Sequence, residues 1–333
     1  MTSSLRMTRR AALAGAAFTT LAAPGAMAQA YPGRPVRIVV PFPPGNTSDI
    51  LARLAAEELQ RRRGVTVVVE NRPGASGALG VQAVTGARPD GLTLLVTTQS
   101  PIVVNPPLMK NPPYDPVREL SPVALFGRTG FVLVAAPNFP ANTMAEAARV
   151  LRAAPRGTYS AANPGVGTMS QLAMALLGLS LGTEIESIPY RGSAAALVDV
   201  AAGRVALMID GFNSAVPMAL NGQVKPLAVI ARQRSPLVPS VPSLAESGVP
   251  ELADLEALSW TGMFGPAGTP PEVAAWWTDA LGEVMRDPAV VAKLAQTFVE
   301  AAPPVSVAAF TQEIASDLAK WTRVIRDARI EQQ

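Results

Sequence analysis

The chain contains no cysteine and no histidine. Without cysteine there are no disulfides, no thiol nucleophile and no lipid attached through sulfur. Without histidine there is no Ser-His-Asp triad, no imidazole general base and no histidine metal ligand. Only carboxylates and lysines remain for acid–base work, which disfavours an enzyme. Charge of one sign is scarce as well. The formal net charge is +3, and Arg6, Arg9 and Arg10 account for all of it, because the rest of the chain balances. A balanced chain has no global field to draw it onto nucleic acid or anionic lipid. Arg61-Arg62-Arg63 reads as a helix C-terminus, where cations oppose the negative end of the dipole. Beyond residue 30, no stretch reaches the roughly 20 residues that span a bilayer without meeting a charge or a proline.

What is present is a chain of 333 residues, 49% of them hydrophobic. That is enough for a sizeable core and for about two domains. Met1–Arg10 is basic, Ala11–Ala23 is a short apolar run, and Ala26-Met27-Ala28 is an Ala-x-Ala cleavage site. This order predicts a signal peptide over residues 1–28, with a mature start near Gln29 and a periplasmic destination. The apolar run is too short for a membrane anchor, and Pro24-Gly25 breaks it. Thr8-Arg9-Arg10 suggests twin-arginine export, although the large apolar residue usual two places later is missing.

After the leader, β-branched runs alternate with helical patterns. Val36–Val40, Val65–Glu70 and Leu92–Thr97 read as buried strands of a parallel sheet. Leu51, Leu54, Ala55 and Leu59 share a helical face, and Gly64 ends that helix. The grammar repeats with strands at Thr158–Ala162, Glu184–Tyr190, Val205–Asp210 and Pro226–Ala231. Between them lie helices at Met169–Leu181, Ala194–Ala202 and Ser214–Asn221. Pro122–Ala136 is a long extended segment that crosses between the units, and Leu258–Gly265 is the return crossing. Two late helices carry apolar faces, Ala274, Trp277, Leu281 and Val284 on one, Ile314, Leu318, Trp321 and Ile325 on the other. The fold class is α/β. One domain takes residues 31–127 and 256–333, the other 128–255, with a ligand cleft between them.

Pro41-Phe42-Pro43-Pro44-Gly45-Asn46-Thr47-Ser48-Asp49 follows the first strand and opens a helix. Such a loop points backbone N–H groups outward at the positive end of the dipole and binds an anion without lysine or arginine. The alternative is that Gly45 only makes a turn and Thr47, Ser48 or Asp49 caps the helix. Asn163-Pro164-Gly165-Val166-Gly167-Thr168 occupies the equivalent place in the second unit, so two loops can grip an anion from opposite sides. Neither loop is a nucleotide motif. Thr97-Thr98-Gln99-Ser100 ends the third strand, where Thr98 and Gln99 either face the cleft or cap the strand. Asp210 holds a ligand amine or hydroxyl, orients a bound water, or only caps the helix near Asn213-Ser214. Tyr190-Arg191-Gly192-Ser193 borders the cleft, and Trp260 is read as packing.

Pro41–Asp49, Val69-Glu70-Asn71-Arg72-Pro73-Gly74-Ala75-Ser76-Gly77 and Pro89-Asp90-Gly91-Leu92-Thr93-Leu94-Leu95 resemble the Bug family. These are the periplasmic receptors of tripartite tricarboxylate transporters. The likeness runs on through Asn105-Pro106, Tyr114-Asp115-Pro116, Pro189–Gly192, Met208-Ile209-Asp210 and Pro266–Pro270. It implies a type II periplasmic-binding-protein fold, two α/β domains joined by two crossing strands, with a small carboxylate clasped between two loops. The ligand set implied is Phe42, Gly45, Asn46, Thr47, Ser48, Thr98 and Gln99 on one side and Asn163, Gly165, Gly167, Thr168 and Asp210 on the other. The expected partners are the ligand and the transporter's membrane subunits, with the receptor monomeric. No nucleic acid, cofactor, metal or catalytic residue is expected. A sensory binding protein of the same fold, reporting to a membrane signalling partner, is the alternative. A hydrolase or lyase would need an acid–base pair, and the loops offer Asp49 alone.

Three departures from the family pattern stand out. Asn46 replaces a usual second glycine; asparagine tolerates a left-handed backbone there, but its amide intrudes on the pocket. The segment before Gly165 is longer than usual. Gln171 stands where a histidine often does.

Overall fold

The computed structural model describes residues 31–332; the expected signal peptide at 1–28 lies outside the described residues. The first half opens with β1 (Val36–Val40), α1 (Thr47–Arg63), β2 (Val67–Asn71), α2 (Ala78–Thr85) and β3 (Thr93–Thr98). Short helices α3 (Asn105–Leu108) and α4 (Pro116–Glu119) lead into the long β4 (Leu120–Ala135). The second half holds α5 (Met144–Ala153), β5 (Ser160–Asn163), α6 (Met169–Leu181), β6 (Glu186–Pro189), α7 (Ser193–Ala201), β7 (Leu207–Gly211), α8 (Phe212–Leu220) and β8 (Lys225–Val229). The chain returns through β9 (Leu258–Pro266) and closes with α9 (Pro271–Met285), α10 (Pro288–Ala295), β10 (Glu300–Ala301) and α11 (Val307–Asp327).

Every expected strand forms, with ends displaced by up to two residues. The two expected crossings are β4 and β9. β4 joins the halves into one sheet. Its first part, Leu120–Gly130, pairs antiparallel with β9, which pairs antiparallel with β3; β1 lies parallel between β3 and β2. Its last part, Phe131–Ala135, pairs antiparallel with β7, and β5 runs parallel between β7 and β6. β10 and β8 both add to β4, at Gly127–Arg128 and at Val132–Ala135. Register shifts in β4 between Pro122 and Ala124 and between Leu125 and Gly127 bend it, as an extra residue in one strand does.

Strand direction fixes where a site can be. β3 runs parallel to β4, so its carboxyl end points toward the second half. β7 and β5 run against β4, so their carboxyl ends point back toward the first half. The two sets of strand ends therefore face each other across the crossing, where open α/β sheets place their ligands.

The core explains the apolar faces. Ile38, Leu51 and Leu59 pack with Trp277, Leu281 and Val284 on one side of the first half. A second cluster runs from the second half to α11, through Leu172, Met208, Phe310, Ile314 and Trp321. Trp260 is buried, its ring 5.2 Å from that of Phe310 and its Nε1–H donating to Asp317 over 2.8 Å, so it packs as expected. The three arginines ending α1 do more than meet its dipole. Arg63 pairs with Asp279 and Glu283 on α9, and Arg62 with Asp287.

Candidate functional site

The first loop leaves β1 and turns at Gly45, whose φ of 90° is open to glycine and strained for other residues. Asn46 then caps α1. Its φ is −78° and its side-chain oxygen accepts from the Asp49 amide at 2.9 Å. This corrects two expectations. Asn46 is not left-handed, and its amide is turned to the helix rather than into a pocket; the cap is Asn46, not Thr47, Ser48 or Asp49.

Asp49 is the hub of this loop. Its carboxylate accepts from the Gly45 amide at 2.9 Å, from Arg53 Nε at 3.0 Å and from Asn71 Nδ2 at 2.9 Å. Asn71 Nδ2 also donates to the Phe42 carbonyl, and Asn71 Oδ1 accepts from Arg53. Burial works to raise the Asp49 carboxyl, but Arg53, the Gly45 amide and Asn71 hold it below the usual carboxylate range. The Gly45 N–H is thereby taken by the protein. Among the described residues, the backbone N–H groups of Thr47 and Ser48, in the first turn of α1, have no protein partner, as is usual where helices leave N–H groups unpaired.

The second loop follows the same plan with different chemistry. Gly167 has a φ of 76°, Thr168 caps α6, and the Gly167 amide donates to Gln171 Oε1 at 2.8 Å. The Gly165 amide donates to Asn163 Oδ1 at 3.0 Å, and Asn163 Nδ2 donates to Ser187. Asn163, Gly165 and Gly167 thus shape the loop from within, against the expectation that the glycine amides point free. The first-turn amides of α6, Met169 and Ser170, remain without a protein partner among the described residues.

The halves meet beside this loop. A side-chain carbon on Gly167 would stand 3.1 Å from Leu108 and 3.7 Å from Asn105. Asn105 in turn donates to the Ser76 carbonyl at 2.8 Å. Gly77 lies against Pro41 and Pro101, so contacts lead from one loop to the other. Tyr190 is tied to Asp199 through its hydroxyl at 2.7 Å, and Gly192 N–H donates to Pro164.

Buried polar atoms without a hydrogen-bond partner are uncommon in folded proteins, and each calls for an explanation. Among the described residues they are Ser48 Oγ, Thr97 Oγ1, both amide atoms of Gln99, Asp210 Oδ2 and Trp321 Nε1. Thr97, Gln99 and Asp210 stand at the facing strand ends, and Ser48 in the first turn of α1. Gln99 is fully buried with its backbone N–H on the Trp260 carbonyl; Thr98 beside it is half-buried and ends β3. Asp210 accepts from Ser170 Oγ at 3.1 Å through Oδ1 alone. Burial pushes its carboxyl up, and the nearby Ser193 hydroxyl, Gly211 amide and Ser170 and Ser214 hydroxyls offset this in part.

The family described as tripartite tricarboxylate transporter family receptor matches residues 51–330. The chain belongs to that family. BugT of Bordetella pertussis is 34% identical over 327 residues, covering 97% of this chain and 98% of the relative. A Rhodopseudomonas palustris protein solved with adipate superposes with a TM-score of 0.77 at 30% identity, covering 90% of this chain and 99% of that one. MatC of Rhodopseudomonas palustris, solved with bound malate, superposes at 0.73 with 30% identity, covering 89% and 100%. The fold is that of the periplasmic binding proteins, and the family is one of receptors, not enzymes. Within it, the residues that sequence reasoning missed are Arg53, Asn71 and Gln171. Asn71 belongs to a family motif and Gln171 departs from one, but nothing in the sequence says that Asn71 braces Asp49 and Phe42 or that Gln171 takes the Gly167 amide.

Proposed function

We propose that this receptor works in the periplasm, captures a small carboxylate between its first and second loops, and delivers it to the membrane subunits of a tripartite tricarboxylate-type transporter. Residues 31–127 with 256–333 act as one domain and 128–255 as the other, closing on the ligand about β4 and β9. The observation that carries this reading is the concentration of unpartnered buried polar atoms at the facing strand ends and the start of α1, on Thr97, Gln99, Asp210 and Ser48. Two neighbours of the same fold were solved with the dicarboxylates adipate and malate, which supports the ligand class. The ligand's acid group goes to the first-turn amides Thr47 and Ser48 or Met169 and Ser170, where the positive ends of two helix dipoles favour an anion. Phe42, Thr98 and Thr168 complete the walls.

A ligand that binds only the folded chain stabilises it, by about 2.7 kcal/mol at a hundredfold excess over Kd. Thermal denaturation across di- and tricarboxylates and aromatic acids is expected to give at least one clear upward shift. A flat response to all of them beside a shift for a neutral sugar would refute the carboxylate reading.

A further inference from the structure

Asp210 occupies an unusual position. It ends β7 and is 3% exposed, and three helices begin around it: α6 with Ser170, α7 with Ser193 and α8 with Ser214. These helices run for 13, 9 and 9 residues, long enough for a dipole at each start. The Ser170 hydroxyl satisfies Oδ1, while Oδ2 has no aligned donor even though Ser193, Ser214 and the Gly211 amide lie around the group. An ionised carboxylate only accepts hydrogen bonds. A buried acceptor left unpaired is costly, and a second carboxylate brought beside it is repelled. With the carboxyl ionised, the group that fits Oδ2 is therefore a donor.

We propose that Asp210 makes this receptor select, among small carboxylates, those that also carry a hydroxyl or ammonium donor. The proposal rests on the carboxylate reading above and sharpens it. The acid group takes the first-turn amides, and the donor takes Asp210 Oδ2. An otherwise identical acid without the donor leaves Oδ2 unpaired in the closed cleft, and sites built to hydrogen-bond a ligand hydroxyl or amine discriminate strongly against such analogues.

Calorimetry on the purified chain with matched acids tests this. The sets are succinate against L-malate and L-aspartate, glutarate against L-glutamate, tricarballylate against citrate, and phenylacetate against mandelate. Within whichever set binds, the donor-bearing acid is expected to bind about tenfold or more tighter; the succinate set, with L-malate and L-aspartate, shows whether hydroxyl or ammonium is preferred. Asp210→Asn keeps the shape but places an N–H beside the ligand's donor, so the preference should shrink to within about threefold. Equal affinity within a set overturns the proposal and leaves the carboxylate reading intact. Failure of every acid to bind overturns both. A preference that survives in Asp210→Asn places discrimination elsewhere and also overturns it. The matched sets are measured on the unaltered chain, so the test holds even if the variant does not fold.

Discussion

The first and second loops share one plan and differ in one charge. Each turns at a glycine of positive φ, caps its helix with the next residue, and ties the glycine amide to the side chain four residues on. In the first loop that side chain is Asp49, with Arg53 and Asn71 gathered on the same carboxylate. In the second it is Gln171, a neutral amide. A carboxylate bonded to a guanidinium, a side-chain amide and a backbone amide makes a stiffer knot than a single neutral bond. The first loop is thus held by a network that includes an ion pair, and the second by neutral bonds, among them Asn163 to Ser187. The capping geometry that frees the first-turn amides does not require a charge, but it does require the N3 side chain to keep the glycine amide occupied.

The largest expected effect comes from cutting the first knot. Asp49→Ala removes an acceptor shared by Gly45, Arg53 and Asn71 and should cost about 2–3 kcal/mol of stability. Gln171→Ala removes one neutral bond and should cost about 1 kcal/mol. Urea denaturation of both variants gives the two values directly, and equal losses would erase the distinction between the loops.

A pH series sharpens it further. A carboxyl held below its usual range in the folded chain adds stability at neutral pH and loses it as pH falls through the lowered value. Asp49→Asn should therefore be least stable relative to the wild-type chain at neutral pH, with the gap closing below about pH 4. Asp210 has the opposite sign, because burial raises it. Its ionised form weighs against folding as pH rises through the raised value, so Asp210→Asn should gain relative stability from acid to neutral pH. Melting temperatures measured from pH 3 to 8 check both signs; parallel curves for the two variants would contradict the burial and pairing described for them.

The smallest effects belong to the caps. Asn46→Ala and Thr168→Ala should each lose about 1 kcal/mol, and Asn46→Gly only a few tenths. Thermal melts that ranked Asn46→Gly as the worst of the three would return Asn46 to a role in the pocket.

The two loops also show how far sequence reading reaches. Their position after β1 and β5 was legible, because a β-branched run, a glycine and small hydroxyls before an apolar period leave little choice of local structure. The cap was misplaced by one to three residues, since Asn46, Thr47, Ser48 and Asp49 are all competent caps and only the backbone path selects one. The expected ligand set counts Gly45 and Gly167 alongside Thr47, Ser48 and Thr168, and the amides of these two glycines prove to be taken. That error has a physical cause: a glycine amide next to a helix start is available to any acceptor at N3, and Asp49 and Gln171 take it.

By itself the sequence determined the α/β alternation, the long crossing β4, the return through β9 and the apolar faces of the late helices. These follow from local periodicity and from which residues must leave water. It also carried enough motifs in order to place the chain in its family. Only the tertiary structure decided which loop amides stay free, that Asp49 pairs with Arg53 and Asn71, and that Asp210 stands among the starts of three helices with one oxygen unpaired. Arg53 and Asn71 lie 18 residues apart and bond at 2.8 Å, and Ser170 reaches Asp210 across 40 residues. Such contacts depend on strand order and direction in the sheet, which no local pattern encodes.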